Sequence, residues 1–262
     1  MKIGLFDSGI GGLTILRSVV RELPEYDYLF YGDTANLPLG DKTEADLYEL
    51  TIKGMQYLFE QGCLLVIIAC NTASAETAKK LQEEYLPSKY QNRKILGVIV
   101  PTVEMLEYSG AKSVLLLATT RTVDSAKYLK ELKKRGNQDI DLLQVATPEL
   151  VPLIENGELD KAAESAIEII EAQKGDRRVV VLGCTHYTEI KNHIRNHFKE
   201  ELNIISQDEV IPEKLKIYLN MHPEIESQLT RGGQRNLHLT EHRPDYDRFI
   251  QQLLGGVLVV DR

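Results

Sequence analysis

The chain has 262 residues and carries 31 Lys and Arg against 39 Asp and Glu, a formal net charge of −8. With 43% hydrophobic and 27% charged residues it has the make-up of a globular protein, long enough for two compact domains or one large one. The acidic balance argues against nucleic-acid binding, which depends on clustered cations, and no apolar run approaches the roughly 20 residues of a membrane span.

In chain order, the apolar pattern predicts a strand at 2–6, a helix at 13–23, a strand at 28–31 and a helix at 42–61. A strand at 64–69, a helix at 73–85 and strands at 95–100 and 113–118 follow. The second half reads as a helix at 124–135, a strand at 141–145, a helix at 160–173, a strand at 178–182 and a helix at 187–198. The strands are continuous β-branched and Leu runs, as expected when both faces of a parallel sheet are covered. Their alternation with helices predicts an α/β fold. The loop at 86–93 and the polar stretch at 206–212 are the best candidates for domain boundaries, and the C-terminal stretches 246–254 and 256–260 are expected to pack back onto the body. The only basic runs, 130–135 and 177–178, are short and have acidic neighbours. Met1 runs directly into a strand-like segment, so neither a secretory signal nor a transit peptide is expected.

Three cysteines are too few, and odd in number, for a disulfide framework; they read as reduced cytoplasmic thiols. Two of them belong to an internal repeat. Val66-Ile67-Ile68-Ala69-Cys70-Asn71-Thr72 lines up with Val180-Val181-Leu182-Gly183-Cys184-Thr185-His186, and Leu5-Phe6-Asp7-Ser8 lines up loosely with Leu116-Leu117-Ala118-Thr119. The stretches from Asp7 to Cys70 and from Ala118 to Cys184 are nearly equal, which points to a duplicated α/β domain.

Both matched cysteines fall where ligands bind in parallel sheets, at the carboxyl end of a strand and the start of a helix. Unpaired N–H groups there favour a thiolate. A single cysteine is more often a small buried hydrophobe. That reading suits Cys63, at a helix-to-strand junction without polar company, but it leaves the symmetric placement of Cys70 and Cys184 unexplained. Two equivalent thiols suit proton removal from one face of a carbon and proton return to the other. A redox pair would show C-x-x-C spacing, which is absent, and Cys184-Thr185-His186 alone is a weak zinc motif. A single-thiol Cys/His hydrolase would leave the second cysteine idle.

The other strand ends supply hydrogen-bonding groups. Asp7-Ser8-Gly9-Ile10-Gly11-Gly12 can cradle an anion on backbone N–H groups, although a tight strand–helix turn explains its glycines equally well. It lacks the Lys of a phosphate loop and does not fit G-x-G-x-x-G. Asp7, ending a buried strand, needs a partner or a task. Asn71, Thr72, Thr119 and Thr185 suit carboxylates, and His186 is placed to tune the Cys184 proton or to be a satisfied core histidine.

Together these motifs resemble the glutamate racemase family within the cofactor-independent aspartate/glutamate racemases. The matching stretches are DSGIGGLT at 7–14, YGDTANLPLG at 31–40, ACNTAS at 69–74, VPLIE at 151–155 and GCTHY at 183–187. The resemblance implies two pseudo-twofold-related domains, 1–94 with 209–262 and 95–208, each a mainly parallel sheet flanked by helices, with the active site in the cleft between them. It implies interconversion of L- and D-glutamate for peptidoglycan synthesis in the cytoplasm, by a homodimer, without a metal, pyridoxal phosphate or other cofactor. By position, Cys70 and Cys184 would be the acid/base thiols, assisted by Asp7 and His186, with Glu155 as an auxiliary acid. Asp7, Ser8, Leu39, Gly40, Asn71, Thr72, Thr119, Thr122, Thr185 and His186 would bind the amino acid.

The chain departs from the family pattern at Leu39 (usually Tyr), Asn36 (often Arg), Thr147 (often Cys), Val100 before Pro101 (often acidic) and Ala118 (usually Gly). These changes leave the thiol pair intact and open the substrate to aspartate or another acidic amino acid. A non-catalytic binding protein of the gyrase-inhibitor kind on this scaffold is the alternative of another class, and it gives no reason for a thiol pair.

Overall fold

The computed structural model describes residues 1–37, 42–244, 246–247, 250–251 and 259–260. Ten strands lie among them: β1 Lys2–Asp7, β2 Tyr28–Gly32, β3 Cys63–Ile68, β4 Lys94–Gly97, β5 Ser113–Ala118, β6 Asp141–Ala146, β7 Val179–Gly183, β8 Asn203–Ser206, β9 Arg235–Leu239 and β10 Val259–Val260. The chain divides into two compact units, Met1–Val98 with Ile211–Arg262, and Ile99–Val210.

The first unit holds a six-stranded sheet in the order β10-β9-β2-β1-β3-β4, and every pairing in it is parallel. The second holds a parallel four-stranded sheet in the order β6-β5-β7-β8. The expected α/β fold is therefore found, as two parallel sheets flanked by helices. The internal repeat is visible in the topology, because β1 and β3 are neighbours in one sheet exactly where β5 and β7 are neighbours in the other.

Both central strands are buried on both faces. In the first unit Ile3, Leu5, Leu65 and Ile67 pack on Leu13, Ile15, Leu16 and Val19 of helix Leu13–Glu22. On the other face Phe6, Val66 and Ile68 meet Met55, Leu58 and Phe59 of helix Glu44–Glu60. In the second unit Leu115, Leu117, Val180 and Leu182 share a core with Ala162, Ala166 and Ile170 of helix Leu159–Gln173. Each such aliphatic side chain contributes about 1.5–3 kcal/mol of burial.

Three expectations are corrected. The strand at 95–100 ends at Gly97, and a helix, Ile99–Ser109, begins before Pro101; a proline in the first turn of a helix costs nothing, since its missing N–H would have no partner there. The helix at 124–135 is two helices, Thr120–Asp124 and Lys127–Lys134, broken at Ala126, whose φ of 50° is left-handed. The units divide between Val98 and Ile99 and between Val210 and Ile211, so the stretch at 206–212 holds a boundary and 86–93 does not, and the latter is not a loop throughout. Residues 86–89 form a short helix, Leu86–Lys89, and β8 runs straight into helix Gln207–Met221. The polarity at 206–212 serves ion pairing, with Lys191 Nζ 2.5 Å from Asp208 and 3.0 Å from Glu209. At the C-terminus, Tyr246 and Ile250 join the first unit's core and β10 pairs with β9; most of the predicted stretch 246–254, like Leu39 and Gly40, lies outside the described residues.

Candidate active site

In the first unit, the carboxyl ends of β1 and β3 bring one group of the predicted residues together. Phe6 is in register with Ile68, and the Ala69 N–H donates to the Phe6 carbonyl at 2.8 Å, so Asp7 and Cys70 leave adjacent strands side by side. Asp7 is wholly buried, and one carboxylate oxygen accepts the Gly9 N–H at 3.1 Å. The glycine-rich turn is thus folded around its own acid. Gly12 is required for this: a Cβ there would stand 2.7 Å from the Asp7 Cβ and 3.1 Å from the Ala69 Cβ. Cys70 is the N-cap of helix Asn71–Lys80, with Asn71 and Thr72 buried in its first turn and Ser8 buried beside Asp7. The N-terminal end of that helix favours negative charge at or near the thiol.

Asp33, at the end of β2, belongs to the same edge and was not singled out in the sequence. It is buried, its Oδ1 accepts from the Asn36 amide at 2.8 Å and the Thr240 hydroxyl at 3.1 Å, and its Oδ2 has no hydrogen-bond partner. Asn36 therefore reaches one carboxylate oxygen where a longer, forked side chain could reach two.

The second unit gathers the other group at the ends of β5 and β7, which are in register at Ala118 and Gly183. Thr119 caps helix Thr120–Asp124, its hydroxyl accepting the Thr122 N–H at 3.3 Å and meeting the Thr122 hydroxyl at 2.9 Å. Cys184 and Thr185 are buried at the end of β7. Gly183 lets β7 approach β5 closely, since a Cβ there would meet Leu116 Cδ1 at 2.7 Å.

Here a further expectation is corrected. Cys184 is followed not by an α-helix but by a 3₁₀ turn, Thr185–Glu189, and the α-helix starts only at Lys191. The Tyr187 N–H bonds back to the Cys184 carbonyl at 3.1 Å. This tighter turn directs Thr185, His186 and Tyr187 all inward, whereas an α-helix on the surface would turn one of them to solvent. A five-residue 3₁₀ turn also offers a weaker dipole than the helix behind Cys70.

What Cys184 has instead is a side-chain partner. His186 Nδ1 lies 3.7 Å from the Cys184 Sγ, and its Nε2 is 3.1 Å from Oε1 of Glu155, the last residue of helix Leu150–Glu155. The Glu155 contact is an ion pair without in-line hydrogen-bond geometry, because Nε2 has no aligned acceptor. Burial works against the imidazolium, but the hydrogen bond with Cys184 and the contact with Glu155 outweigh it, and the ring titrates well above its usual range. A charged imidazole this close to a thiol can give a proton to it or take one from it.

Cys63 stands apart. It opens β3 inside the first unit's core, and burial pushes its thiol up to about 12, against a small opposing pull from Lys2 and Arg93. At neutral pH it is an inert thiol. The sequence also left Tyr187 and Tyr128 unassigned, two fully buried phenols whose titration burial raises and the Cys184 charge raises further. Only full burial, which the sequence does not display, marks them out. Among the described residues no group of three or more His, Cys, Asp and Glu side chains could hold a metal ion, and no helix is long and apolar enough to cross a membrane.

Known proteins resemble the chain over most of its length. The family model for Asp/Glu/hydantoin racemases matches residues 18–211. A glutamate racemase from Dinoroseobacter shibae is 34% identical over 239 residues, covering 86% of each chain. The crystal structure of a glutamate racemase from Francisella tularensis in complex with D-glutamate aligns at 26% identity with a TM-score of 0.83, covering 99% of this chain and 95% of that one. A glutamate racemase isoform from Bacillus anthracis, at 24% identity, shares the fold with a TM-score of 0.87 over 99% of this chain and 96% of its own.

Proposed function

The chain belongs to the Asp/Glu/hydantoin racemase family, and we propose that it is a glutamate racemase in which Cys70 and Cys184 exchange protons with opposite faces of the α-carbon. The observation that carries this reading is the matched placement of the two thiols. Each follows the carboxyl end of the equivalent strand, β3 or β7, and each has an ionisable neighbour, Asp7 on the adjacent strand end or His186 in the following turn.

In one direction a thiolate takes the α-proton and becomes a thiol, and the electron pair left on carbon spreads into the substrate carboxylate. The other thiol then gives its proton to the opposite face and becomes the thiolate. The reverse reaction exchanges the two roles, so the enzyme returns to its starting form by moving a proton through solvent, His186 or Asp7.

The chemical difficulty is the weak acidity of a carbon acid beside a carboxylate. Hydrogen bonds that strengthen as charge moves onto the carboxylate lower that barrier. The N–H groups at the start of helix Asn71–Lys80 and the side chains of Ser8, Asn71, Thr72, Thr119, Thr122 and Thr185 are the donors in this reading, with Leu39 and Gly40 contributing backbone. Glu155 keeps His186 charged, and His186 in turn supplies or receives the Cys184 proton. The two units correspond to the two domains, and the enzyme works as a cytoplasmic homodimer whose D-glutamate is drawn off into cell-wall synthesis.

The test is a circular-dichroism assay on each enantiomer of glutamate and of aspartate. Loss of optical activity with glutamate, faster than with aspartate, supports the proposal. Racemisation of aspartate alone would reassign the substrate, and no turnover of either would return the chain to the binding-protein reading.

A further inference from the structure

The 3₁₀ turn behind Cys184 is anchored in the core by a phenol. Tyr187 is fully buried, and its hydroxyl sits 2.6 Å from the Thr147 Oγ1 and 3.2 Å from the Thr147 carbonyl. Thr147 is fully buried as well, and both its N–H (2.9 Å) and its hydroxyl (3.2 Å) donate to the Ala118 carbonyl. The phenol also donates to the Thr147 carbonyl, and either hydroxyl can be the donor in the 2.6 Å contact between them.

Thr147 is therefore a junction. Ala118 is the register partner of Gly183, directly before Cys184. The Thr147 carbonyl also receives the Leu150 N–H at 3.3 Å, starting the helix that ends in Glu155. One threonine thus joins the end of β5, the helix carrying Glu155 and, through Tyr187, the turn carrying Cys184 and His186. An apolar pair such as Phe and Val would fill the same space without any hydroxyl to satisfy. What the hydroxyls add is direction, in a turn whose two neighbouring side chains must meet Glu155 and a substrate.

We infer that the Tyr187–Thr147 hydroxyl pair is a positioning device that holds the Cys184 thiol and the His186–Glu155 contact in working geometry. The inference rests on the reading of Cys184 as one of two proton-transfer groups.

Tyr187→Phe and Thr147→Val each remove one hydroxyl at nearly constant volume, and Thr147→Ser keeps it. Two readouts separate positioning from packing. The first is the primary isotope effect on kcat/KM with α-deuterated L- and D-glutamate. The two directions of a racemisation share an equilibrium constant of unity, so their kcat/KM values must fall together, by about tenfold for a modest misplacement. If only the Cys184 step slows, however, the isotope effect grows for the enantiomer that Cys184 deprotonates and shrinks for its mirror image.

The second readout is the His186 titration midpoint by nuclear magnetic resonance, which needs no substrate. The groups facing this ring are Cys184 and Glu155, and a loosened turn moves the midpoint down toward the ordinary value of about 6.5. Both hydroxyl-deleting variants should show both shifts, the double variant should be no worse than either single one, and Thr147→Ser should behave as the parent. An unchanged isotope-effect ratio with an unmoved His186 midpoint would overturn the inference. Should the valine and phenylalanine variants fail to fold, Thr147→Ser still decides: a serine variant that loses the His186 shift shows that the methyl group, not the hydroxyl, holds the turn. A parent protein that racemises neither glutamate enantiomer would sink the functional reading, while the His186 midpoint would still judge the pair.

Discussion

Glu155 Oε1 approaches His186 Nε2 to 3.1 Å on the side of the ring opposite Cys184, whose sulfur is 3.7 Å from Nδ1. The imidazole is thereby held between a thiol and a carboxylate in a buried setting that would otherwise discharge it.

Because the folded state raises the His186 midpoint above its unfolded value of about 6.5, the charged ring stabilises the fold fully below that pH. This contribution disappears as pH rises through the folded midpoint. Glu155→Gln removes one of the groups that raise it. The melting temperature of the variant should fall furthest behind the parent below about pH 6.5, and the gap should close at alkaline pH. A gap that is independent of pH would mean that Glu155 acts by packing alone.

Gly12→Ala should leave a folded protein with much lower activity. Its methyl group would collide with the Asp7 Cβ at 2.7 Å, so the acid beside Cys70 must move. Displacement of the order of 1 Å costs about a hundredfold in rate. Steady-state kinetics alongside circular-dichroism melting separates this from unfolding, and a variant with parental turnover would free Asp7 from any role.

Cys63→Ala tests the odd cysteine. Its thiol is buried in the first unit's core and un-ionised at neutral pH. The substitution should cost about 1 kcal/mol in stability by removing a packed sulfur, with kcat/KM within about twofold of the parent because no proton passes through it. A larger kinetic loss, measured on the folded variant, would mean that three thiols carry the chemistry.

Asn36→Arg addresses the unsatisfied Asp33 oxygen. A forked side chain can donate to Oδ2 as well as Oδ1. Satisfying one buried acceptor is worth about 1 kcal/mol, or a melting temperature higher by roughly 3 °C. No change in thermal unfolding would show that the new side chain does not reach it.

Much of this site is legible in the chain because strand ends announce themselves. The runs before Cys70 and Cys184 are continuous and apolar, and the polar residues that follow mark where β3 and β7 stop. What stays hidden depends on contacts distant in sequence. Tyr187 and Thr147 are 40 residues apart, so neither local pattern predicts the hydroxyl pair. The turn after Cys184 carries a helical apolar rhythm, and its 3₁₀ form follows from three inward side chains that periodicity cannot reveal. β9, with Arg235, Asn236 and His238, is too polar to read as a strand; it is recruited by pairing with β2, and Arg235 caps the Pro24 and Tyr26 carbonyls.

Two thiols that move protons at one α-carbon leave an isotopic record. The most direct test is to incubate L-glutamate in deuterated water with the parent, Cys70→Ser and Cys184→Ser, and to follow optical rotation and α-deuterium together. The parent should lose optical activity and deliver product carrying one solvent deuterium at the α-carbon, and each serine variant should lose racemisation almost entirely. Sustained racemisation by either serine variant, or product that retains its original α-hydrogen throughout, would contradict the two-thiol mechanism.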